Sequence, residues 1–237
     1  MTPEAAPTAG LVALAPGAFT MGGAADDKFV TDTERPAHAV TIARAFALGR
    51  FPVTVGEYRD FCPRHAPDDD PAWPVAGMSW DEARAYCAWR GAEAARALRL
   101  PTEAEWEYAC RAGSGAPFAG GDELATAAAN FLYAEDGQRI GPGRRTAEGD
   151  YPANAFGLQD LHGNVCEWVE DAWHPGYGGA PADGTAWTEG GDPDRRVIRG
   201  GAWDYLPRLL RSAWRDALPR GQRRDNVGFR LALTLAP

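Results

Sequence analysis

Three stretches of the chain carry the same opening signature for a short amphipathic helix. Thr54-Val55-Gly56-Glu57, Ser79-Trp80-Asp81-Glu82 and Thr102-Glu103-Ala104-Glu105 each fit the S/T-x-x-E capping box, in which hydroxyl and carboxylate satisfy first-turn amides reciprocally. After the second box Trp80, Ala83 and Cys87 recur at i, i+3 and i+7, and the helix is expected to stop at Gly91. After the third, Trp106, Ala109 and Cys110 form one stripe, with a stop at Gly113. Residues 11–21, 39–48 and 228–235 instead show partial alternation with Val, Ile, Phe and Thr, and read as strands. Strand-rich ends around helices and long loops predict an α+β architecture.

Composition adds loops and removes several classes of protein. With 28 Gly and 19 Pro spread along the chain, much of it is expected in turns. No repeat, charge block or low-complexity linker divides it, so residues 1–237 read as one domain. The stretch from Met1 to Ala15 has no basic leader, and nowhere is there a run of roughly 20 apolar residues, which points to a cytoplasmic chain without a membrane partner. Cys62, Cys87, Cys110 and Cys166 stand far apart, without C-x-x-C, and read as buried reduced thiols.

The net charge of −9 hides an asymmetry: residues 195–230 hold ten Arg against Asp204, Asp216 and Asp225, a balance of +7. Lys28 is the single lysine, and the arginines are interspersed with Leu, Trp and Phe rather than set in runs. Ion pairing and stacking on aromatics within the fold explain this pattern, and no nucleic-acid partner is expected.

Several segments then resemble one family in order: Pro16-Gly17-Ala18-Phe19-Thr20-Met21-Gly22, Glu34-Arg35-Pro36, Phe51-Pro52-Val53-Thr54 and Met78-Ser79-Trp80-Asp81-Glu82-Ala83. They continue with Arg99-Leu100-Pro101-Thr102-Glu103-Ala104-Glu105-Trp106, Gly163-Asn164-Val165-Cys166-Glu167-Trp168, Arg199-Gly200-Gly201-Ala202-Trp203 and Val227-Gly228-Phe229-Arg230. Together they are similar to the formylglycine-generating (sulfatase-modifying factor) family. The resemblance implies a C-type-lectin-like fold with little regular secondary structure, and structural calcium. One implied ligand set is Asn130, the carbonyl of Phe131, Asp136 and the carbonyl of Gln138. The other is Asp160, the carbonyls of Gly163 and Val165, and Glu167. The second spacing suits calcium on its own chemistry, two carboxylates bracketing a glycine that turns carbonyls inward; the plainer reading makes Asp160 a cap and Glu167 an ion-pair partner.

Formylglycine-generating members use two cysteines after a Gly-Gly-Ser motif to bind copper and engage a substrate thiol. Register from Gly200-Gly201 places Tyr205 and Leu210 there, with Ala202 for the serine. Neither side chain supplies a thiolate, so no copper and no formylglycine-generating activity are expected. A second branch resembles ergothioneine-pathway sulfoxide synthases, which hold non-haem iron through histidines of a separate helical domain. Within this chain His162, Glu167 and His174 are the candidates for an iron triad, although His162 reads as structural. The leading expectation is therefore a binding module, with a metal-dependent oxidoreductase or maturation accessory as alternative. Where relatives differ, Asp204, Tyr205, Leu206, Leu209, Asp216, Ala217 and Leu218 are expected to line a face for a protein or small ligand, as in variable proteins of diversity-generating retroelements. Leu210 reads as core, while Leu206 and Leu209 fit core or surface equally.

Overall fold

All three predicted helices form, each with its capping box closed. A computed structural model describes residues 10–235 and shows α1 at Val55–Phe61, α2 at Trp80–Glu93 and α3 at Glu103–Arg111. Residues 1–9 of the stretch read for a leader lie outside those described. The N–H of Glu105 donates to the Thr102 hydroxyl at 3.0 Å, and the N–H of Thr102 to the Glu105 carboxylate at 2.9 Å, with equivalent pairs at Thr54/Glu57 and Ser79/Glu82.

Gly91 does not end α2. A Cβ there would lie 2.5 Å from the carbonyl oxygen of Arg96, so the glycine permits the returning chain to pack against the helix, which runs on to Glu93. The returning chain is β5, Leu98–Arg99. α3 ends as predicted, where Ala112 and Gly113 take left-handed φ of 46° and 88°.

Each predicted strand run divides in two, and the halves join different sheets. The first becomes β1, Leu11–Leu14, and β2, Gly17–Met21, interrupted at Pro16, which has no N–H to give a ladder. The second becomes β3, His38–Ile42, and β4, Phe46–Gly49. With β6 at Cys166–Trp173, β7 at Asp192–Arg199 and β8 at Arg215–Pro219, the third becomes β9, Val227–Phe229, and β10, Ala232–Thr234. The sheets are β1-β4-β10-β5, β2-β3 and β8-β7-β6-β9, with β6 and β9 parallel and the other pairs antiparallel. The apolar runs are thus corners at which the chain crosses between sheets, and the architecture is α+β.

One core cluster packs Tyr58, Trp80 and Tyr86 of the first two helices on Trp168, Ile198 and Phe229. A second packs Trp106 and Ala109 of α3 on Val40, Phe46, Leu48 and Val197. Cys87, Cys110 and Cys166 are buried, but Cys62 is exposed, because it caps the end of α1 beyond its buried stripe.

Four of the ten arginines in residues 195–230 are spent inside. Arg211 pairs with Glu34 at 2.7 and 2.8 Å, Arg215 with Glu103 at 2.7 and 2.9 Å, and Arg230 with Glu167 at 2.6 Å to each oxygen. Arg199 pairs with Glu107, which also holds Arg111. All these side chains are buried. Burial opposes ionisation of Glu103, but Arg215 and Arg199 outweigh it and hold the carboxyl below its usual range.

Candidate functional site

The loop that follows β7 turns on Gly200 and Gly201, both in the left-handed region at φ 89° and 70°. A Cβ on Gly201 would meet the Leu209 carbonyl oxygen at 2.6 Å, so the glycine lets the loop fold back and seat Leu210 inside. Leu210 is fully buried against Phe118, Ala129 and Phe131, as its core reading required.

His162 sits beneath it. The Ala119 N–H donates to His162 Nε2 at 3.1 Å, so Nδ1 carries the proton and donates to the Leu210 carbonyl at 2.8 Å. Burial pushes this imidazole down to about 4 and the adjacent Cys110 thiol up to about 12. The pair is therefore neutral, without an activated thiolate. Glu167 is engaged by Arg230 and by the Trp106 indole N–H at 2.8 Å. His174 stacks on Trp187 at 3.5 Å and faces the carbonyls of Ala172 and Glu189. The triad of His162, Glu167 and His174 does not assemble, and among the described residues no three His, Cys, Asp or Glu are grouped to hold a metal ion.

The seven residues expected on a binding face separate. Ala217 and Leu218 are buried on β8, Leu218 within the first core cluster; as neighbours on a strand they point to opposite faces, and both faces are covered there. They leave the face. Tyr205 is half-buried, meets Trp214 edge-on at 5.6 Å, and packs against the core cluster that holds the buried Cys166 thiol. Burial raises that thiol well above its usual range, so it stays protonated. Asp204 accepts from the Asn226 amide at 3.0 Å, and Asp216 from the N–H of Ala217 at 2.7 Å. Leu206 and Leu209 are half-buried, with Leu209 packed against two clusters.

The same loop borders a cleft of about 870 Å³ that no sequence pattern marked. Residues 24–29 and 115–118 form part of its wall, with Leu124, Phe131, Ile140 and Pro207. Arg211 ties these walls together, bonding Glu34, Asp27 at 3.3 Å and the Phe29 carbonyl at 2.9 Å. A second cavity of about 340 Å³ shares Ala24, Asp27, residues 115–117 and Arg211, so the two form one trough. Across its mouth Arg208 pairs with Glu135 at 2.7 Å. The lining holds Asp26, Asp27, Asp122, Glu123 and Glu135 against Lys28, Arg111, Arg208 and Arg211, with Arg111 and Arg211 committed to the buried Glu107 and Glu34. Asp26, Asp122 and Glu123 make no ion pair among the described residues, and Lys28 lies over the Phe29 ring at 4.8 Å. The trough is therefore acidic with aromatic walls, a composition suited to a cation that carries an apolar body.

The two oxygen sets expected for calcium differ in their surroundings. Both carboxylate oxygens of Asp160 are buried without a hydrogen-bond partner, and its backbone is held at a left-handed φ of 58°. Burial pushes this carboxyl up to about 7, with Arg230 opposing. Such an orphaned buried carboxylate fits a cation ligand. Glu167 is already neutralised by Arg230 and would share its remaining lone pairs. In the other set Asn130 Oδ1 is buried and unpartnered, but Asp136 and Gln138 lie on an exposed hairpin. There Asp136 accepts the Gln138 N–H, and the Gln138 carbonyl accepts the Ala134 N–H. Asn164 links the two sets: its side chain accepts from Asn130 and from the Thr146 N–H, each at 3.1 Å.

Mixed sheets with three short helices, long glycine turns and buried acid–arginine pairs define a lectin-like α+β scaffold. The model of the sulfatase-modifying factor enzyme 1-like domain matches residues 1–235, and the chain belongs to this family. PvdO from Pseudomonas aeruginosa is similar at 34% identity and a TM-score of 0.84, covering 95% of this chain and 94% of that one. Hercynine oxygenase of Mycobacterium tuberculosis is 34% identical over 90% of this chain, which spans 58% of that protein. Treponema denticola variable protein 1 shares the fold, with a TM-score of 0.80 at 21% identity over 95% of each chain.

Proposed function

We propose that this chain is a ligand-binding domain whose acidic trough receives an extended basic peptide segment. The observation that carries the reading is the trough: three acids without an ion pair among the described residues, beside Phe29, Phe118 and Phe131, next to the loop where the family's cysteine positions are Tyr205 and Leu210. Peptide cations would be drawn by the charge and their apolar stems by the rings. Asp204, Tyr205, Leu206, Leu209 and Asp216 are the remaining candidates for further contacts along the loop. Calcium is assigned to Asp160, Glu167 and the carbonyls of Gly163 and Val165, where it would neutralise Asp160 and tie the loop before β6 in place.

The test is calorimetry with the purified chain and two peptides of equal length, one arginine-rich and one glutamate-rich. The basic peptide is expected to bind, and Asp122→Lys with Glu123→Lys to weaken it about tenfold or more. Equal binding of both peptides, or indifference to the double variant, would sink the proposal.

A second reading follows from the hercynine oxygenase similarity: this chain would furnish the substrate cleft of an oxidoreductase, with redox groups supplied from outside the matched region. One equivalent of iron or copper retained after chelation and dialysis would favour it over the binding domain.

A further inference from the structure

Trp80, at the start of α2, carries three guanidinium groups. Arg84 of α2 lies 4.8 Å from the ring centroid, Arg196 of β7 4.6 Å, and Arg220, just after β8, 5.1 Å. An indole has two faces, so at least two of these cations share a side. The ring itself is buried and anchored, with Nε1–H donating to the Val169 carbonyl at 2.7 Å.

Two of the arginines have acid partners. Arg220 chelates Asp81 through two nitrogens, and Arg84 meets Glu170 at the looser distance of 3.6 Å. Arg196 has none among the described residues: its terminal nitrogen donates to the Arg195 carbonyl at 3.2 Å, and its Nε is buried without an acceptor. Burial and the neighbouring Arg220 push this guanidinium below its usual range, the reverse of Arg215 in the core, which Glu103 raises against its burial. Three cations thus stand against Asp81 and Glu170, with Asp194 also beside Arg220, and Arg196 is the one of the three without an acid partner among the described residues.

We propose that the Trp80 arginine cluster is a binding site for a tetrahedral dianionic oxyanion, phosphate or sulfate, either free or as an ester on a larger ligand. A guanidinium stacked on an aromatic face keeps its in-plane donors directed at the rim, where oxyanion oxygens accept bidentately. Tetrahedral oxygens diverge, so one anion can take donors from Arg196 and from a neighbour arriving off another element. A planar carboxylate is matched by a single guanidinium. The site lies on α2, β7 and the turn after β8, uses no residue lining the acidic trough, and stands independently of the peptide reading.

The experiment follows the arginine Nε–H resonances by NMR while inorganic phosphate is titrated at constant ionic strength, with chloride as the control. Arg196 is expected to shift saturably, and Arg196→Gln, with its fold checked by circular dichroism, to bind phosphate about tenfold more weakly or worse. Arg84→Gln, on the exposed side of α2, is expected to weaken binding as well and serves should Arg196→Gln not fold. O-phosphoserine binding more tightly than phosphate would identify an ester ligand, and equal binding a free ion; both support the site. A shift reproduced by chloride, phosphate affinity unchanged in both variants, or acetate binding as well as phosphate would overturn it.

Discussion

Glu167 and Arg230 are 63 positions apart, yet each oxygen of the carboxylate accepts from the guanidinium at 2.6 Å in a fully buried setting. Such a pair repays its desolvation only with further hydrogen bonds around it; here the Trp106 N–H donates to one carboxylate oxygen and the Gly49 carbonyl accepts from the guanidinium. Glu167→Gln leaves a buried guanidinium without a counter-charge, and urea unfolding is expected to show a loss of about 3–5 kcal/mol. A loss below about 1 kcal/mol, the scale of an exposed pair, would mean that water reaches the site. The two residue types stood in the sequence, but no spacing rule pairs positions so far apart. The resemblance placed Glu167 among calcium ligands, and the plainer ion-pair reading describes its contacts.

At the scale of elements, local chemistry was legible wherever partners lie within one turn. The capping boxes closed as read, since hydroxyl and carboxylate sit three residues apart in any such segment. Thr102 does more than cap: its hydroxyl also donates to the Gly184 carbonyl at 2.9 Å and fastens a distant loop to α3. Thr54→Ala should cost about 1 kcal/mol as an ordinary cap, and Thr102→Ala measurably more in thermal unfolding. Equal losses would show that the Gly184 contact adds nothing. Gly91 was misread for the opposite reason: its role is set by Arg96 returning across the helix, which periodicity does not report. The split strands share that cause, because the sheet a residue joins depends on remote partners such as β6 for β9 and β4 for β10.

For the whole molecule, the proposed calcium site would couple metal binding to pH through the Asp160 carboxyl. In the metal-free chain its pKa is raised to about 7 from an ordinary 3.8. A raised acid favours the folded state fully below the unfolded value, and that contribution is lost as pH rises through about 7. If Asp160 is a calcium ligand as proposed, the ion would take the place of the proton, and the increase in Tm on adding calcium should be larger at pH 8 than at pH 5. Asp160→Asn should abolish most of that difference. A calcium effect independent of pH, or none at either, would remove Asp160 from the ligands. No helix among the described residues is long and apolar enough to cross a membrane.

What the sequence by itself determined was the family, the α+β class, the capped helices, the buried Cys87 and Cys110, and the loss of thiols at Tyr205 and Leu210. All of these are carried by contiguous segments or by residue type. Only the tertiary structure decided that Ala217 and Leu218 are interior, that Asp160 is left without a partner, and that Asp26, Asp122 and Glu123 gather around one trough. It also brought Arg84, Arg196 and Arg220 to a single indole. In each case the deciding quantity is what surrounds a side chain after the sheets have closed, and sequence separation carries no information about that.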